Sequence, residues 1–191
     1  MLVVISVLLI MTGVILANFP AFRDKAALDL LAQEIAVTIR QAQVYGIGTR
    51  EAGTGSKFPS YGIYFATDNS NGLDNKTFYL YADRDSTKTF SPPDPLKKCN
   101  EDNSGNDCII EKFAITGSAK IVELQGCTGN CATPPPATLT SLDIFFQRFY
   151  PEATLPANYS YVKIMIQSTR DATRQKEIQV WSTGQIVVKD V

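Results

Sequence analysis

The stretch 2–17, LVVISVLLIMTGVILA, constrains the fold more than any other part of the chain. Leu2, Val3, Val4, Ile5, Val7, Leu8, Leu9, Ile10, Gly13, Val14, Ile15, Leu16 and Ala17 carry no charge, and the only polar residues among them are Ser6 and Thr12. A helix that is apolar on every side belongs in lipid or among other helices, not on a wet surface. At 1.5 Å per residue, residues 1–17 reach roughly 26 Å, a little short of the ~30 Å hydrocarbon core, so the run reads as a membrane span clipped at its front. A cleaved secretory signal fits poorly. No Lys or Arg precedes the run, the apolar core is long for a signal, and Ala17-Asn18-Phe19-Pro20 lacks a small-x-small site.

Helical periodicity continues past Pro20, where a kink is expected, to about Tyr45. Leu28, Leu31, Ile35, Ile39 and Ala42 recur at steps of three or four and form one apolar stripe, which predicts packing on a sheet. Asp24, Lys25, Asp29, Gln33, Arg40, Gln41 and Gln43 fall mostly elsewhere, so the opposite side is expected to be wet. Gly46, Ile47 and Gly48 supply a C-terminal glycine stop.

Beyond residue 48 the composition turns to strands separated by polar loops. Residues 61–65 and 76–82 are expected to pair antiparallel, 109–115 and 120–124 to form a second pair around Thr116-Gly117-Ser118, and 141–146 to add another strand. Val162, Ile164 and Ile166, then Ile178 and Val180, then 185–188 predict a C-terminal meander with a turn at Ser182-Thr183-Gly184. The resulting expectation is an α+β fold, one long N-terminal helix packed on an antiparallel sheet. Residues 1–19 are its apolar half-helix, 20–46 its amphipathic half and 47–191 a β-rich head with a Cys-containing insertion at about 92–136.

Charge is nearly balanced, 18 Lys+Arg against 19 Asp+Glu, so no global field points to nucleic acid. The end 184–191 holds only Lys189 beside Asp190. Without histidine the chain has no Ser-His or Cys-His pair, and Gly53-Thr54-Gly55-Ser56-Lys57 lacks full phosphate-loop spacing, so no catalytic role is expected. The four cysteines are Cys99, Cys108, Cys127 and Cys131. Their C-x8-C and C-x3-C spacings suit neither zinc nor a C-x-x-C redox pair, and local bridges Cys99 to Cys108 and Cys127 to Cys131 are preferred among three pairings. No cofactor is expected; the acidic runs 68–75 and 101–107 offer oxygens to calcium but lack EF-hand order. Trp181 reads as a half-buried packing residue.

The segments LVVISVLLIMTGVILANF, ALDLLAQEIAVTIRQAQVYGI, YGIYF with FYLYADRD, and IQVWSTGQIVV, in that order, resemble type IV pilin-like proteins, closest to the minor pseudopilins of type II secretion, the GspH/FimT-like group. The resemblance implies a pilin-like fold and a filament subunit whose apolar helices bundle in the core, with other pilins or pseudopilins as partners. It also implies single-pass residence in the inner or cytoplasmic membrane before assembly, with the head on the extracytoplasmic side. The basic leader, the Gly-Phe-Thr-Leu-Ile-Glu type cleavage site and the glutamate of that family have no counterpart before or within the run Leu2-Val3-Val4-Ile5-Ser6. The alternative from a different class is a membrane-anchored extracytoplasmic module for adhesion or for ligand or DNA capture.

Overall fold

Residues 26–43 contain no glycine or proline and are rich in Ala, Leu and Gln, so propensity and the 3.6-residue pattern agree on helix. In the computed structural model, α1 runs Leu2–Ile47 with Pro20 inside it. Pro20 sets off a short N-terminal part from the longer part that packs on the head. The structure describes residues 2–48, 50–52, 59–67, 74–91, 96–101, 106–129, 131 and 135–191, with the side chains of 2, 14–18 and 21 outside that description. The loop 53–57, most of the acidic run 68–75, and 92–95, 102–105 and 132–134 of the insertion lie outside the described residues.

Ten strands follow: β1 Ser60–Ala66, β2 Thr77–Asp83, β3 Cys108–Ala114, β4 Ala119–Cys127, β5 Ala137–Leu139, β6 Ser141–Phe146, β7 Ala153–Thr154, β8 Tyr161–Ser168, β9 Gln175–Trp181 and β10 Ile186–Asp190. They form two five-stranded sheets, ordered β3-β2-β1-β6-β7 and β10-β9-β8-β4-β5, with every named pair antiparallel. Alternate residues of both sheets turn to a common core. Ile63 and Phe65, Phe78 and Leu80, and Ile144 and Phe146 come from the first sheet; Ile121, Val162, Ile164, Ile178 and Val180 come from the second. Leu28, Leu31, Ala32, Ile35, Ile39 and Ala42 of α1 close it. At the end of the helix the backbone comes so near Phe146 that a Cβ on Gly46 would sit 2.9 Å from its Cβ, and the Phe149 N–H donates to the Gly46 carbonyl at 3.2 Å.

Three expectations are corrected. The α+β, pilin-like arrangement of one long helix on an antiparallel sheet gives way to a mostly β fold, with ten strands in two antiparallel sheets among the described residues and a helix packed on both. The segments 109–115 and 120–124 do not pair. β3 joins β2, with Phe78 opposite Phe113, while β4 joins β8, so the turn at Gly117 (φ +79°) carries the chain from one sheet to the other. Single-pass residence in the inner or cytoplasmic membrane is overturned as well: among the described residues no helix is long and apolar enough to cross a membrane.

Candidate assembly surface

The two sides of α1 have opposite environments. Leu28, Leu31, Ile35, Ile39 and Ala42 are all buried in the core between the sheets. Polar contacts fix the helix at both ends of that stripe. The Ser118 hydroxyl donates to Asp24 Oδ1 at 2.8 Å, and Arg170 Nη1 lies 3.5 Å from the same oxygen. Lys176 reaches Asp190 at 2.7 Å and also pairs with Asp29, and these two carboxylates hold its ammonium above the usual lysine range. Farther along, Gln43 Nε2 donates to the Pro151 carbonyl at 2.6 Å.

Toward the N-terminus the helix is uncovered. Val3, Val4, Ile5, Val7, Leu8, Leu9 and Ile10 are each 50% to 76% exposed. The Thr12 hydroxyl turns back to the Leu8 carbonyl at 2.8 Å, so it offers little polarity to the surroundings. A Cβ added at Gly13 would meet nothing within 4 Å, leaving a flat spot for close approach. The side chains of Leu2, Val14, Ile15, Leu16 and Ala17 lie outside the described residues.

The side opposite the core, expected to be wet, carries an apolar stripe of its own. Phe19, Phe22, Leu30, Val37, Val44 and Ile47 are exposed, with Leu30 at 71%, and Leu30, Val37 and Val44 fall at steps of seven. Exposed Arg23, Gln33, Glu34 and Arg40 flank them. An isolated exposed leucine is unremarkable, but six exposed apolar side chains along the outward face, with an uncovered apolar tip on the same helix, are of the kind that marks contacts with another molecule. The seven-residue spacing was present in the sequence; the mixed composition of that face hid it.

The cysteines form Cys99–Cys108 and Cys127–Cys131. The first ties the loop before β3 into a small cluster with Ala52, Tyr61 and Ala82, and the second closes the turn after β4. With no free thiol in either pair, these cysteines offer no thiolates for zinc. Trp181 is half-buried and stacks on Tyr161 with ring centroids 4.4 Å apart. Replacing both Cys99 and Cys108 by serine is expected to lower stability by about 2 to 3 kcal/mol through the released loop entropy, read as a lower urea midpoint without loss of the native far-UV spectrum.

No protein-family model, curated protein or solved structure matches the chain.

Proposed function

We propose that the chain is a structural subunit of a filament of the type IV pilus or type II secretion kind, acting by lateral packing of its N-terminal helix against the helices of other subunits. The single observation that carries this reading is the uncovered apolar surface of α1, from Val3 at its tip through Leu30, Val37 and Val44 on the side facing away from the head. Left in water this surface is unfavourable, and each large aliphatic side chain taken out of water contributes about 1.5 to 3 kcal/mol. A handful of such contacts is of the same order as the association cost of roughly 4 to 15 kcal/mol, so a bundle, which covers more of this surface on each helix than a pair does, is favoured. The head's second half-helix is held by buried packing and by Asp24, Asp29 and Gln43, so it can present the outward stripe rigidly while the tip enters the bundle. The flanking Arg23, Glu34 and Arg40 provide charges of both signs that can select the stagger between neighbours.

A photo-crosslinking amino acid placed at Leu9 or Val37 in the full chain tests this. Covalent multimers linked helix to helix are expected from both positions, whereas adducts from Val37 that map to unrelated proteins would remove the reading.

A further inference from the structure

We propose that Asp83, Asp85 and Asp107 form a binding site for a hard divalent cation, with calcium the best fit. One carboxylate oxygen from each of the three lies within 4.8 Å of the other two. Asp83 ends β2 and Asp85 follows two residues later. Asp107 immediately precedes β3, and the pairing of Ala82 with Cys108 draws it alongside. The Cys99–Cys108 bridge fixes the chain at that point.

Three carboxylates in one place are by themselves only an acidic cluster, but here one of them, Asp83, is buried with an oxygen that no donor reaches. Asp83 is 3% exposed and Asp107 is fully buried. Asp83 Oδ2 accepts the Lys88 N–H at 3.2 Å, but its Oδ1 is buried with no hydrogen-bond donor. Its carboxyl lies against that of Asp85, and Asp107 feels both as neighbouring negative charges. The remaining oxygens are oriented by other groups. Asp107 takes the N–H of Arg84 at 3.2 Å and of Ser91 at 2.8 Å, and Asp85 Oδ1 takes the N–H and hydroxyl of Thr87 at 3.0 and 2.7 Å. A buried carboxylate oxygen without a donor is costly unless a cation or proton sits on it.

Ligand chemistry selects the ion. All donors are carboxylate oxygens, which suits calcium and magnesium over softer metals. Three protein carboxylates converging on one point suit calcium, which takes six to eight oxygens in flexible geometry, better than magnesium, which keeps several waters and takes one or two carboxylates. Asp85 is exposed and leaves an entry side where water completes the shell. A bound ion joins the end of β2, the 85–89 turn and the start of β3, stiffening the edge of the first sheet. This site is independent of helix assembly.

Full-length protein freed of metal with a chelator is titrated with calcium chloride, and separately with magnesium chloride, by isothermal calorimetry and thermal melting. One calcium per chain is expected, with a melting temperature that rises with calcium concentration. Asp85→Asn, at an exposed position, is expected to weaken calcium binding at least about tenfold without lowering the metal-free melting temperature, since it also relieves repulsion on Asp83 and Asp107, and Asp107→Asn to abolish binding. The proposal is overturned by a flat titration and a melt indifferent to about 5 mM calcium, by Asp85→Asn binding as tightly as the unmodified chain, or by magnesium binding as tightly as calcium.

Discussion

Ile35→Ala is expected to lower the free energy of unfolding by about 2 to 5 kcal/mol, while Leu30→Ala, five residues earlier on the same helix, changes it by less than about 0.5 kcal/mol. Ile35 is fully buried at the middle of the stripe that α1 lays against both sheets, so truncation removes transfer energy and leaves a cavity that two sheets and a helix cannot easily collapse. Leu30 is 71% exposed and loses almost no intramolecular contact. Urea denaturation measures both, and the midpoint should fall for Ile35→Ala with the slope unchanged. Equal losses at the two positions would mean that α1 does not pack with the face described.

The second large effect is a pH dependence of opposite sign to that of most acidic residues. Burial holds Asp107 at about 7 against 3.8, and holds Asp143, on β6, up to about 6. The groups facing them are Asp83, Asp85 and Tyr81 from β2 and the turn after it, with Arg84 and Lys88 alongside. Tyr81 donates to Asp143 Oδ1 at 3.2 Å, and burial first, then Asp143 and Asp107, keep that phenol well above its usual range. A raised carboxyl keeps its proton in the folded chain after the unfolded chain has released it. Stability contributed by that proton is therefore present at pH 4 and lost as pH rises toward 7. At about 1.4 kcal/mol per pH unit, Asp107 alone removes on the order of 4 kcal/mol between pH 4 and pH 8 in metal-free buffer. Denaturation midpoints taken across that range with chelator present should decline with pH, and Asp107→Asn should flatten most of the decline. A midpoint that rises with pH from 5 to 8 would contradict the burial of these groups.

The parts of this structure that were legible in the sequence are those whose partners lie nearby in the chain. The stripe Leu28 to Ala42 has the helix period. The strands carrying Val162, Ile164, Ile166, Ile178 and Val180 alternate at period two around short turns, so β8, β9 and β10 could be placed as a meander. β3 and β4 misled because a turn between two apolar segments reads as a hairpin. Here β3 finds a better partner in β2, where Phe113 stacks on Phe78 with centroids 4.9 Å apart, and β4 is taken by β8. That competition between pairings is decided by packing across two sheets, which no local pattern records. The outward stripe of Leu30, Val37 and Val44 was readable but diluted by charged neighbours. The acidic site was only half readable. Asp107 lies in a run rich in acids, but Asp83 and Asp85 are brought to it by the β2–β3 ladder and not by any motif.

In the proposed filament, α1 builds the assembly through its outward face as well as its apolar tip. Sedimentation velocity on the full chain, compared with a Leu30→Glu, Val37→Glu, Val44→Glu variant, addresses it directly. All three positions are exposed, so the variant should keep the urea midpoint of the unmodified head within about 1 kcal/mol. The unmodified chain is expected to sediment as large, concentration-dependent species, and the triple variant as monomer or small oligomer, with assembly shifted to at least about tenfold higher concentration, a change of only 1.4 kcal/mol. Identical sedimentation of the two would leave the outward stripe without a role and contradict helix-mediated assembly along α1.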